Sequence, residues 1–118
     1  MQFHHASIEV SDLDRSIAFY KEILGFIVET QLVAMGERIA FLTLEEFRLE
    51  LVQPLIDETI QHRSSHLAFR IQDLREHIDL LRDQHITPVE GPYDLENGWR
   101  IAFYEGPDGE KLEFVELC

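Results

Sequence analysis

Four side chains in this 118-residue chain have the type and placing to do chemistry: His5, Glu50, His66 and Glu113. Each histidine opens a stretch of alternating polar and apolar residues. Each glutamate sits between two large apolar residues, Leu49 and Leu51 in one case, Leu112 and Phe114 in the other. Side chains alternate between the two faces of a strand, so both glutamates point away from the side that buries their neighbours. A carboxylate between core residues is costly to place unless something on its own face offsets the desolvation. A divalent cation does so, because two neutral imidazoles and two carboxylates leave the site neutral overall. Mixed nitrogen and oxygen ligation suits Ni, Co or Zn, and also Fe or Mn, better than Ca. With water in the remaining positions, such a site is open to substrate. A single strand histidine is ordinarily just hydrogen-bonded, and a single outward glutamate just solvated. Four at matched positions point instead to a metal, with a metal-free binding cleft as the alternative.

The matching comes from an internal repeat. His5 to Leu13 aligns with His66 to Leu74 at an offset of about 61, Ile39-Ala40-Phe41-Leu42 with Ile101-Ala102-Phe103-Tyr104, and Leu49-Glu50-Leu51-Val52 with Leu112-Glu113-Phe114-Val115. Each half opens with a half-buried strand: Ala6, Ile8 and Val10 share one face, and His5, Ser7 and Glu9 the other. A helix follows. Leu13, Ile17, Tyr20 and Leu24 have its spacing, Ser11 stands three residues before Asp14 as a cap, and Gly25 stops it. In the second half Leu74, Ile78 and Leu81 repeat the spacing, and Pro88 ends that helix by about Thr87. Three more strands are expected in each half. In the first they cover about 26–33, 37–44 and 48–53, with turns at Met35-Gly36 and Glu45-Glu46. In the second, Asn97-Gly98 signals a hairpin and Gly106-Pro107-Asp108-Gly109 a turn. The expected architecture is α+β: one domain over 1–118 made of two βαβββ modules, about 1–53 and 64–118, joined by a connector over 54–63, with the two curved sheets forming a cleft.

Composition limits the partners. The formal charge is −13, from 23 acidic and 10 basic side chains, and no basic stripe offers phosphate the cations it needs, so nucleic acid is excluded. No apolar run approaches the roughly 20 residues of a membrane span, and the opening residues carry no signal-peptide pattern, which gives a cytoplasmic expectation. Cys118, the only cysteine, cannot form an internal disulfide. Of the other histidines, His4 falls on the apolar face beside Ala6 and Ile8 and reads as packed. His62, in the connector, and His77, next to Glu76, read as solvated. His85 takes the place of Leu24 at a helix C-terminus, where a cation is favourable. Met35, Tyr93 and Trp99 are candidates for a cleft mouth.

These residues resemble the vicinal oxygen chelate superfamily, which includes glyoxalase I, methylmalonyl-CoA epimerase, extradiol dioxygenases and the fosfomycin and bleomycin resistance proteins. The resemblance is carried by His5-x-x-Ile8-x-Val10-x-Asp12-Leu13, by Ser16-Ile17-Ala18-Phe19-Tyr20 with Leu24-Gly25-Phe26, by the His66 strand, and by Gly106-Pro107-Asp108-Gly109 leading into Glu113. Within it, a His, Glu, His, Glu set is similar to that of compact bacterial glyoxalase I. That likeness implies a metal-dependent lyase or isomerase acting on a hemithioacetal or a related small oxygenated molecule, and a homodimer whose subunits share sites. It also implies that Glu113, or Glu50 in its place, is the general base and that His5 and His66 stay as ligands. Epimerases usually carry Gln at the place of Glu50, and dioxygenases and fosfomycin enzymes commonly use two His and one Glu; these, and a metal-free resistance module, are the alternatives. The chain departs from glutathione-using members at Glu9, where they carry a basic residue, and at Pro54, where they carry an amide. An anionic thiol is repelled at Glu9, and Arg70 or Arg100 is the candidate for a replacement positive contact.

Overall fold

The structure, a computed structural model, describes residues 2–56 and 66–118. The connector expected over 54–63 lies mostly outside them, as does His62. The chain divides into two compact units, Met1–Gln61 and His62–Cys118. The first runs β1 (Ala6–Glu9), α1 (Leu13–Glu22), β2 (Ile27–Ala34), β3 (Glu37–Leu44) and β4 (Phe47–Pro54). The second repeats the order with β5 (His66–Ile71), α2 (Leu74–Arg82), β6 (Glu90–Asp94), β7 (Arg100–Glu105) and β8 (Lys111–Glu116). Both sheets are four-stranded and mixed, ordered β1-β4-β3-β2 and β5-β8-β7-β6. In each, the strand before the helix runs parallel to the last strand, and the remaining pairs are antiparallel. The fold is therefore α+β with two βαβββ modules.

The helices form where the repeat places them, but their ends differ from expectation. Asp12, not Ser11, is the N-cap of α1: its carboxylate accepts from the Arg15 N–H at 3.1 Å, and Asp73 does the same for Glu76 at 3.0 Å in α2. The aligned pair in the repeat is Asp12 and Asp73, and the residue before Asp73 is Gln72, a poor cap. Each helix start has a second acceptor supplied from the sheet. The Leu13 N–H donates to Gln53 Oε1 and the Leu74 N–H to Glu116 Oε1, both at 2.8 Å. Helix α1 ends at Glu22, before Leu24, and Gly25 adopts a φ of +80° as the Phe26 N–H returns to the Tyr20 carbonyl. In α2 the same return runs from Ile86 to Leu81, and the left-handed position is held by His85, at φ +63°. His85 thus takes the place of Gly25 rather than Leu24, because α2 is one residue shorter than α1.

Each helix packs on its own sheet. Val10, Leu13, Tyr20, Leu42, Leu49 and Leu51 are fully buried or nearly so in the first unit, and Leu74, Leu81, Tyr104, Leu112 and Phe114 in the second. Each such leucine stabilises the fold by roughly 1.5–3 kcal/mol relative to exposure. Leu49 and Leu51 flank Glu50, and Leu112 and Phe114 flank Glu113, so burying the neighbours turns both glutamates to the opposite face. Pro54 belongs to β4 instead of opening the connector; it pairs with Glu37 beyond the last residue of β1, so its missing N–H costs no bond on the β1 side. The Asn97-Gly98 hairpin forms as expected, with Gly98 at φ +90° and the Leu95 N–H bonded to the Trp99 carbonyl. Among the described residues no helix is long and apolar enough to cross a membrane.

Candidate functional site

Each unit brings one histidine to one glutamate. In the first, His5 lies just before β1, one residue outside the strand expected to hold it, and its Nε2 stands 3.5 Å from Glu50 Oε1. In the second, His66 opens β5 and its Nε2 stands 3.1 Å from Glu113 Oε1. The sheets produce this by register: Glu50 is beside Ser7, two residues along from His5, and Glu113 is beside Ala68, two residues along from His66. The carboxylates are the more covered partners, 16% and 17% exposed against 33% and 41% for the imidazoles, so it is the glutamates that carry most of the desolvation cost.

The donor chemistry of each pair fits a transition ion. Two ligands with bonds of about 2.1 Å lie about 3.0 Å apart around an octahedral ion and about 3.4 Å apart around a tetrahedral one. The His–Glu separations of 3.1 and 3.5 Å match this range. Within either unit, among the described residues, no third His, Cys, Asp or Glu joins the pair.

An aromatic wall accompanies each pair. Phe41 is opposite Glu50 across the β3–β4 ladder, and its ring meets His5 edge-on at 5.2 Å between centroids. Phe103 is opposite Glu113 across β7–β8, with its ring edge-on to His66 at 6.5 Å. These two phenylalanines were not among the expected site residues. The repeat and the strand period contained the signal, since Phe41 and Phe103 align and each alternates with the buried Ala40 and Leu42 or Ala102 and Tyr104.

The surroundings of the two pairs differ. His4 is exposed, not packed on the apolar face, and its Nδ1 lies 2.8 Å from His5 Nδ1, a hydrogen bond between the two rings that holds the rotation of the His5 imidazole. His4 precedes β1, so strand alternation does not govern it. Arg48 is gripped by Glu29 through two 2.9 Å bonds and also donates to the His4 carbonyl. That guanidinium holds the Glu29 carboxyl below the usual carboxylate range. Glu9 is exposed, on the face of Ser7 and Glu50. In the second unit Arg70 shares the face of His66 and Glu113, while Arg100 is tied to Asp94 at 2.8 Å and leaves Arg70 as the freer cation.

The remaining expected residues lie elsewhere. His77 is half-buried rather than solvated: its ring packs on Phe114 at 4.2 Å, its Nε2 is buried without a hydrogen-bond partner among the described residues, and burial lowers its pKa. The one-turn spacing from Leu74 to His77 and Leu81 puts it on the helix side facing the sheet. Met35 sits exposed in the β2–β3 turn with φ +51°, and Tyr93 and Trp99 are partly exposed in the second unit. Cys118 is an exposed thiol 3.6 Å from the Asn97 carbonyl.

Two βαβββ modules, each presenting a His–Glu pair on the sheet face opposite its helix, define the class of protein to which the comparisons point. The chain belongs to the glyoxalase/bleomycin resistance protein/dioxygenase superfamily, whose family model matches residues 2–114. It is 33% identical to the metallothiol transferase FosB of Staphylococcus epidermidis over 115 residues, covering 93% of this chain and 78% of that protein. It is 32% identical to the lactoylglutathione lyase of Haemophilus influenzae over 131 residues, covering 98% of this chain and 93% of that one. The solved structure of a glyoxalase family protein from Enterococcus faecalis superposes with a TM-score of 0.82 at 27% identity, covering 98% and 97% of the two chains.

Proposed function

We propose that the chain is a metal-dependent enzyme of the glyoxalase I type, moving a proton between adjacent carbons of a small oxygenated substrate such as a hemithioacetal of methylglyoxal. The observation that carries this reading is the occurrence of the same His–Glu pair in both units, at 3.5 and 3.1 Å. His5, Glu50, His66 and Glu113 would together hold one divalent ion, Ni, Co or Zn, with Fe or Mn admitted by the same donor set. When bound, that ion supplies Lewis acidity toward a carbonyl oxygen.

The protein's own groups do the rest. Glu113 is the general base: Oε1 takes the proton alpha to the carbonyl, holds it, and returns it to the neighbouring carbon, and Glu50 is the residue that would stand in its place. His5 and His66 stay as ligands and orient the site. Phe41 and Phe103 keep bulk water from the histidine edges. Glu9, exposed on the face of Glu50, repels an anionic thiol, so a thiol other than glutathione, or a different substrate, fits the first unit better. The partner is a small molecule, and a homodimer is the proposed working unit. A second reading, transfer of a thiol to a small substrate, is favoured by the 33% identity to a metallothiol transferase.

Elemental analysis of untagged protein tests the metal. About one transition ion per chain is expected, lost in His66→Ala; protein that binds no such ion would exclude both readings in favour of a simple binding module. A screen of methylglyoxal with several thiols and several divalent ions then tests the isomerase reading, and thiol consumption without isomerised product would select the transferase.

A further inference from the structure

Lys111 opens β8 directly beside His66 and on the same sheet face as Glu113. Its register partner across the other ladder is Glu105, yet among the described residues Lys111 makes no ion pair. Its ammonium lies instead over the ring of Phe103, 5.1 Å from the centroid, and that ring is the one standing edge-on to His66. Lys111 is exposed, and an exposed lysine over an aromatic face is held only weakly, so its charge stays available to a ligand. Arg48, at the matching position of the first unit, is by contrast saturated by Glu29. Arg70 lies further along the same face, beside Val115, and also makes no ion pair among the described residues. In a chain of formal charge −13, an uncompensated cation in contact with the aromatic wall of a site calls for a reason.

We propose that Lys111 is the specificity-determining residue of the second unit, binding a carboxylate carried by the substrate while the substrate's reacting end lies at His66 and Glu113. The inference rests on the proposed function for its reaction but not for its binding, and it names the substrate class as small carboxylate-bearing molecules. The carboxylate sits against the Lys111 ammonium, and Phe103 positions that ammonium by its ring face. Glu9, which repels anions, belongs to the first unit's sheet, and Lys111 to the second's.

The test compares hemithioacetals of methylglyoxal formed with 3-mercaptopropionate, which carries a carboxylate, and with uncharged 2-mercaptoethanol. In metal-loaded protein the ratio of kcat/KM for the anionic over the neutral substrate is expected to fall about tenfold in Lys111→Gln, through KM, and to recover in Lys111→Arg. An unchanged ratio would overturn the proposal. Binding is read separately by NMR, since Lys21 and Lys111 are the only lysines and give two resolved side-chain signals in 13C-lysine protein. If no thiol supports turnover, this arm decides. Movement of the Lys111 signal with 3-mercaptopropionate, but not with 2-mercaptoethanol, and with Lys21 unmoved, supports the anchor; equal movement of both lysines, or of neither, refutes it.

Discussion

The two modules share a backbone plan and a His–Glu pair but fill their cores with exchanged volumes. Where α1 carries Ser16 and Tyr20, α2 carries His77 and Leu81, and where the first sheet presents Leu42 and Leu51, the second presents Tyr104 and Phe114. Small opposite large is thus inverted between the halves, consistent with a core that tolerates substitution when volume and patterning are kept. The exchange leaves polar atoms of Ser16, His77 and Tyr104 buried without hydrogen-bond partners among the described residues, so both cores carry some uncompensated polarity there. On the opposite sheet faces the contrast concerns charge and order. The first pair is braced, with His4 on His5 and Glu29 on Arg48. In the second, Lys111 and Arg70 are left without ion pairs among the described residues, and His66 meets Glu113 and the Phe103 ring.

The largest effect that would break this asymmetry is catalytic. With metal at saturation, Glu113→Gln is expected to lower kcat by about 10²–10⁴-fold, the range for loss of a general base. Glu50→Gln is expected to lower it less and to weaken metal retention more. Steady-state kinetics beside metal titration checks both, and the reverse order would move the base to the first unit. Unfolding by denaturant gives the next largest effect, at the helix ends. Gly25→Ala forces a Cβ into the left-handed region and should cost about 1–2 kcal/mol. His85→Gly relieves the same conformation and should gain about 0.5–1 kcal/mol, less than the reverse change because glycine also loosens the unfolded chain. The smallest effect concerns His77. Burial lowers its pKa, so the folded protein keeps it neutral while the unfolded chain takes up a proton near pH 6.5. Its contribution is therefore intact above that pH and declines as pH falls below it. Melting curves from pH 5 to 8 should show a steeper acid-side loss in the native chain than in His77→Leu.

Much of the fold was legible in the sequence because each half repeats the other and each strand obeys a period of two. Ala6 and Ile8 face inward, Leu49 and Leu51 bury, and Glu50 is turned out as a consequence. The helix caps were legible only jointly: Ser11 and Asp12 are both good caps, and the choice depends on where the first helical turn closes. His77 was misread because its charged sequence neighbours Glu76 and Asp79 suggest a solvated face, whereas the i+3 and i+7 positions from Leu74 place it against Phe114. His4 was misread because alternation was extended two residues beyond the strand that enforces it.

By itself the sequence determined the two-module plan and the parity of the strand residues around Glu50, His66 and Glu113, since these follow from the repeat and local backbone periodicity, whereas the register shifts in β2 and β6 break that alternation. Only the tertiary structure decided what each of those groups touches. The 3.5 and 3.1 Å His–Glu separations, the phenylalanine edges, the capture of Arg48 by Glu29 and the seat of Lys111 on Phe103 depend on which strands lie side by side and in what register. The parallel registers that bring each histidine to its glutamate pair Ser7 with Glu50 and Ala68 with Glu113 across the whole module, where no tight turn fixes the pairing as it does in a hairpin.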